Sequence, residues 1–445
     1  MYFPPEFQVL FLILLAAFGW SANLRILSAA GIRVGSILQL RVSPGAHTDE
    51  ATTASRLWQD VARLARVLSA IAVAGWLLCV VSPTSDKRTG IALGTYLIIF
   101  AVLLLPRRAL CHSVRMQFLG LLARIAKPSF SDPVYLADIV IADILTSCAR
   151  MFGDVLRIFC RFGLFLWPQE RSDQNRHTGL DALAGLIREQ HERSACTGTG
   201  IIDLVLVGAP YAFRLRQCIN EYLKAPPASS DARRHMANAI KYASSFPVIA
   251  LSTTQRQVAV DGVMETKYSD WMLRTAYGMW VAAVTFNSLY SFYWDIAFDW
   301  DLGYTAQGWR PSDLVAPAEQ SSKEQMPGEQ LSREQLRYRD THAASPFEAL
   351  ARDLPQHAEL HPRIQAPFLR PHLCFKKRSI YYATMATDLL LRITWAAKLS
   401  PYIQIDRMAF GSFWLNALEI FRRWQWTFLR IEKEEAASIR QSVCV

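Results

Sequence analysis

Glu419, Arg422 and Arg423 lie in an apolar, aromatic stretch near the C-terminus, Leu418 to Arg430, that is greasy enough to enter a bilayer. Charge at membrane depth is costly and marks a cavity or a partner by default. On a helix, residues three and four apart share a face, so the carboxylate stands beside both guanidiniums. Two adjacent guanidiniums held by one carboxylate make a planar fork for a small oxyanion such as phosphate. A helix end whose arginines snorkel to lipid headgroups would use the same residues.

Four other apolar stretches carry polar side chains at helical spacing. Asp143, Ser147, Arg150 and Asp154 step down one face, and Arg234, Asn238, Lys241 and Ser245 repeat that spacing with Tyr242 beside Lys241. Asn287, Ser291, Asp295 and Asp299 step by four, while Asp388, Arg392 and Trp395 share a face. One such pair would read as a salt bridge gluing two helices. Five stretches, with Lys241, Arg392, Arg422 and Arg423 against Asp143, Asp295, Asp388 and Glu419, are more economically read as one polar cavity. A lone buried charge costs several kcal/mol, and a hydrated anion pathway relieves it. Near balance of charge suits transport, because carboxylates can take over the arginines when the anion leaves.

No enzyme signature competes. G-x-S-x-G, H-E-x-x-H and P-loop patterns are absent, and the nine histidines do not cluster with carboxylates at metal spacing. Neither a catalytic residue, a metal site nor a cofactor is expected. His235, beside Arg234, reads as interfacial.

These residues need helices to position them. The 445 residues are 51% hydrophobic and 19% charged, but the apolar ones fall into blocks of membrane-span length. The sequence predicts an all-α polytopic membrane protein of about nine spans around a polar anion pathway. The spans are Phe7–Leu27, Ala62–Ser82, Gly90–Leu105, Val134–Trp167, Gly200–Cys218, Ala239–Leu251, Trp271–Phe298, Ile380–Leu399 and Met408–Ile431. The fourth is long enough to break near Gly153 or Gly163, and Pro247 should kink the sixth. The net charge of +10 does not point to nucleic acid, because the basic residues flank alternate ends of the blocks. That alternation puts the N-terminus in the lumen and the C-terminus in the cytosol.

Between the blocks, basic and apolar residues alternate over Arg107–Lys127, which predicts an amphipathic helix on the cytosolic leaflet, in contact with membrane lipids. Residues 301–375 are rich in Glu, Gln, Ser, Pro and Arg and predict a disordered cytosolic insertion, with a transient helix over Arg333–Ala351. The eight cysteines form no C-x-x-C, so no disulfide framework is indicated, and no N-glycan sequon occurs. The chain thus divides into N-terminal helices with an amphipathic segment (1–129), a transport-like region (130–435) holding the insertion, and a cytosolic tail (436–445).

Longer strings carry a family likeness. Asn238-Ala-Ile-Lys241-Tyr242, Ser288-Leu-Tyr290-Ser-Phe-Tyr-Trp294-Asp295 with Asp299-Trp300, Asp388-Leu-Leu-Leu-Arg392-Ile-Thr-Trp395 and Leu418-Glu419-Ile-Phe-Arg422-Arg423-Trp424 resemble the EXS domain, as do Ala142-Asp143-Ile-Leu-Thr-Ser147 and Pro210-x-x-x-Arg214-x-x-Gln217-Cys218. That family includes eukaryotic phosphate exporters and Golgi proteins named for defective retention of ER residents. The resemblance implies an all-helical transport domain for inorganic phosphate, with Asp143, Lys241, Tyr242, Asp295, Arg392, Trp395, Glu419, Arg422 and Arg423 at phosphate-contacting positions. Ser147, Asn238, Asp299 and Asp388 are expected to support them.

The exporters carry an N-terminal domain that senses inositol polyphosphates, whereas this sequence opens on a span; one early family helix also lacks a counterpart. The resemblance is therefore to the short Golgi branch, where phosphate released by nucleotide-sugar use would return to the cytosol, supporting glycosylation and protein retention. The alternative is a non-transporting sorting factor that binds glycosyltransferases or a cytosolic adaptor. Endoplasmic reticulum and plasma membrane are the other candidate locations.

Overall fold

In a computed structural model, the described residues are 3–38, 50–105, 110–127, 129–167, 201–260, 270–303, 368–370, 373–375, 377–399 and 411–443, and they contain helices and connections but no strand. Helix α1 (Pro5–Ala29) opens with proline in its first turn, where the missing N–H has no helical partner to lose. A short turn, α2 (Val34–Ile37), follows. Helices α3 (Glu50–Val81) and α4 (Ser85–Leu104) form an antiparallel hairpin against α1. Thr84 caps α4 by accepting the Lys87 N–H at 3.4 Å. The hairpin packs closely at Gly75, where a Cβ would lie 2.2 Å from the Thr95 hydroxyl. Pro5–Ala29, Arg56–Val81 and Ser85–Leu104 are long and apolar enough to cross a membrane. The described residues of the other predicted spans also fall on helices, but charge or a break interrupts their apolar runs.

Helix α5 (His112–Ala126) occupies the predicted amphipathic segment. One of its arginines turns inward. Buried Arg115 donates to the carbonyls of Val102, Leu103 and Leu105, satisfying orphan acceptors at the end of α4, and to that of Leu110 just before α5.

Three predicted spans are broken, and the breaks matter to the site. The fourth divides into α6 (Leu136–Ser147) and α7 (Ala149–Leu166), at Cys148 rather than at either glycine. The Cys148 N–H reaches the carbonyls of both Ile144 and Leu145, tightening the last turn of α6. Gly153 instead allows close approach to the next helix, since a Cβ there would lie 2.5 Å from Asp203 Oδ1. Helix α8 (Ile201–Lys224) runs through Pro210. The sixth span divides at Ser244 into α9 (Ser230–Ala243) and α10 (Ser245–Val260). The Pro247 ring would meet the Ala243 carbonyl of a continuous helix, so the chain breaks there instead of kinking. Helix α11 (Asp270–Trp294) widens into a π-helical turn over Asp295–Asp299. Helices α12 (Ser379–Leu399) and α13 (Gly411–Val443) complete the fold.

Of the segment 301–375, expected to be a disordered insertion, residues at both ends are described. Its described ends are packed, with Trp300, Leu302 and Leu369 buried beside Trp426, Leu429 and Ile431. The Gly303 N–H donates to the Phe368 carbonyl at 2.7 Å, and buried Arg370 pairs with Glu432 of α13 at 2.6 Å. These residues bury enough apolar surface to order both ends; the middle of the insertion, including Arg333–Ala351, lies outside the described residues. Cys160 on α7 is disulfide-bonded, a feature cysteine spacing did not reveal; its partner lies outside the described residues.

Candidate anion-binding site

The breaks at Cys148 and Ser244 and the π turn at Asp295 face α8, α12 and α13. Interrupted helices of this kind are tolerated at membrane depth where they line a cavity. Between them lies a cavity of about 50 Å³, lined by Thr146, Ser147, Tyr211, Lys241, Tyr242, Ser245, Asn287, Ser288, Ser291, Arg392, Glu419, Arg422 and Arg423. It has room for a few waters or one small tetrahedral oxyanion.

Carboxylates behind this wall hold most of its cations. Asp388 takes Arg392 Nε at 2.8 Å and Arg422 Nη1 at 3.1 Å, so one carboxylate ties α12 to α13. Arg392 also bonds to Asp295 at the start of the π turn. Arg422 bonds to Glu419, Nε to Oε1 at 3.1 Å, and Nη2 reaches the Ser147 hydroxyl at 3.2 Å. Lys241 Nζ lies 3.2 Å from Asp295 and 3.3 Å from Asp299, so the π turn presents both carboxylates to one ammonium. Asp143 accepts from Arg214 Nε at 2.7 Å and from the Tyr242 hydroxyl at 2.6 Å.

Arg423 differs. Its Nε donates to the Ser147 hydroxyl at 3.1 Å and its guanidinium stacks on Trp426 at 4.5 Å. Among the described residues it makes no ion pair, and its Nη1 is buried without a hydrogen-bond partner in a residue only 7% exposed. Buried guanidinium nitrogens are normally satisfied, so this one marks a place where an anion could bind.

The structure thus brings together Asp143, Ser147, Lys241, Tyr242, Asp295, Asp299, Asp388, Arg392, Glu419, Arg422 and Arg423. Asn238 does not line the cavity, although its Oδ1 is buried without a partner. The Trp395 side chain lies outside the described residues. The expected fork is unequal, because Glu419 holds Arg422 while Arg423 bonds Ser147 instead. Asp154 leaves the predicted stripe, because the turn at Cys148 rotates α7; it pairs with Arg157, 3.9 Å from Asp203.

Arg214 is the functional candidate that sequence reasoning missed. It appeared only within a family-like string and was given no role, yet it is 2% exposed, bonded to Asp143 and stacked over Tyr242 at 4.8 Å. Its signal was the helical spacing of Pro210, Arg214, Gln217 and Cys218. Among the described residues, no group of three or more His, Cys, Asp or Glu could hold a metal.

The chain resembles proteins whose names bear on this cavity. It is 24% identical to Protein ERD1 homolog 1 of Schizosaccharomyces pombe over 443 residues, 98% of this chain and 92% of that protein. It is 22% identical to Solute carrier family 53 member 1 of Homo sapiens over 370 residues, 80% of this chain but 41% of that protein. A shorter match, 40% over 76 residues, joins it to Phosphate transporter PHO1-1 of Oryza sativa subsp. japonica, covering 17% of this chain and 10% of that protein. The family model of EXS matches residues 3–436, almost the whole sequence, and the chain belongs to the EXS family of multi-pass membrane proteins.

Proposed function

We propose that the chain carries inorganic phosphate across the Golgi membrane, from lumen to cytosol, returning phosphate released by nucleotide-sugar use. The observation that carries this reading is the unpaired Arg423 in a cavity whose other cations are already held. An anion entering there gains a guanidinium without first displacing a carboxylate, and its departure leaves a site that remains solvated by Ser147. Arg392, Arg422 and Lys241 surround it and can shift from carboxylate to ligand. A relative named as a phosphate transporter supports phosphate as that ligand. Disulfides persist in oxidising compartments, so the bonded Cys160 favours a luminal end for α7, in line with a luminal N-terminus and cytosolic C-terminus.

A non-transporting sorting factor, binding glycosyltransferases or an adaptor through loops and tail, has no need of an unpaired buried arginine. Phosphate binding to the purified protein separates the two. Saturable binding that falls at least about tenfold in Arg423→Lys is expected, because lysine cannot reproduce a stacked, planar donor. Absence of binding in the unaltered protein would refute phosphate as ligand.

A further inference from the structure

The cavity wall is chemically lopsided. It is crowded with donors, from Arg392, Arg422, Arg423 and Lys241 to the hydroxyls, but among the described residues Glu419 is the one carboxylate that lines it. Asp143, Asp295, Asp299 and Asp388 stand behind their cations. Glu419 is 4% exposed and lies one helical turn from the unpaired Arg423, so one small ligand can touch both. Arg422 donates to both carboxylate oxygens, Nε to Oε1 and Oε2 and Nη2 to Oε1, and the Ser147 hydroxyl is a further hydrogen-bond partner. A carboxylate offers about four acceptor positions, so beyond the two Arg422 nitrogens and the Ser147 hydroxyl about one remains for a ligand in the cavity that Glu419 lines.

We propose that Glu419 is a specificity residue that selects an oxyanion carrying a proton and excludes one that carries none. The inference rests on the anion-site reading and narrows its ligand class. Hydrogen phosphate has a P–OH that can donate to Glu419 while its other oxygens face Arg423. Arsenate keeps a proton in the same way. Sulfate at neutral pH has none, so its oxygens would face the carboxylate lone pairs with no hydrogen between them. Inside a low-dielectric cavity that contact is repulsive, and specificity often rests on such a built-in penalty against the wrong ligand. Sites that demand a hydrogen bond discriminate strongly against analogues that cannot make it.

The test is competition against labelled phosphate on the purified full-length protein at constant pH and ionic strength. Arsenate should compete about as well as unlabelled phosphate, and sulfate at least about a hundredfold less well. In Glu419→Gln, whose amide can donate as well as accept, sulfate should come within about tenfold of arsenate. Glu419→Asp keeps a carboxylate and should keep the discrimination. Arsenate competition in each variant reports whether its site is intact. If unaltered protein binds phosphate but sulfate competes as well as arsenate, the inference is overturned and the anion site stands. The same follows if Glu419→Gln binds arsenate yet still excludes sulfate. If unaltered protein binds no phosphate, the anion site itself fails, and this inference with it.

Discussion

The unit of the site is a buried cation with its carboxylate, and magnitudes decide which pairs matter. Arg214 and Asp143 are both fully enclosed. Removing one member leaves an uncompensated charge, which costs about 3–5 kcal/mol. Arg214→Met should therefore lower the melting temperature sharply, and adding Asp143→Asn should recover much of the loss, a non-additivity that a double-mutant cycle detects. Equal losses that simply add would show that the pair is not coupled. By contrast Lys127 and Asp132 are more than half exposed, and Lys127→Ala should leave the melting curve unmoved. Most of these residues were legible because charge inside an apolar run stands out. Arg214 was hidden because it sits beside a second arginine, Arg216, at the end of an apolar run. The inequality of Arg422 and Arg423 was also hidden, since spacing shows a shared face but not which side chain Glu419 reaches.

At the scale of elements, apolar blocks showed where helices lie and failed to show where they stop. The periodicity of residues 134–167 continues through Cys148, and only the packing of Gly153 against Asp203 explains why the glycine is not the hinge. The π turn was invisible for the same reason: a step of four marks Asp295 and Asp299 without revealing that a wider turn aims both at Lys241. Composition likewise gave no sign that Leu302 and Leu369, at the ends of the segment 301–375, are packed in the core. Glu432 gathers Arg370, the Tyr381 hydroxyl and the Cys374 N–H. Glu432→Ala should cost about 3–5 kcal/mol, because it strands the Arg370 guanidinium in the core. Replacing Gln307–Gln365 with a short Gly/Ser linker should cost little, because Gly303 and Phe368 already meet and loop length enters only logarithmically. Thermal melting of both purified variants checks this. A stable Glu432→Ala protein or an unfolded linker variant would show that the latch has been placed on the wrong residues.

For the whole molecule, the proposed orientation puts the N-terminus in the lumen and the C-terminus in the cytosol. Glycosylation sequons engineered before Phe7 and after Val445 should be modified only at the N-terminal site, and modification of the C-terminal site would reverse the topology. The central claim is that an unpaired arginine among carboxylate-held cations makes this EXS chain a phosphate carrier. Its most direct test is phosphate flux into liposomes holding purified protein, measured for the unaltered chain and for Arg423→Lys at matched incorporation. Saturable flux in the unaltered protein, cut at least about tenfold by the lysine, is the predicted result. No flux in the unaltered protein, or equal flux in both, would contradict it.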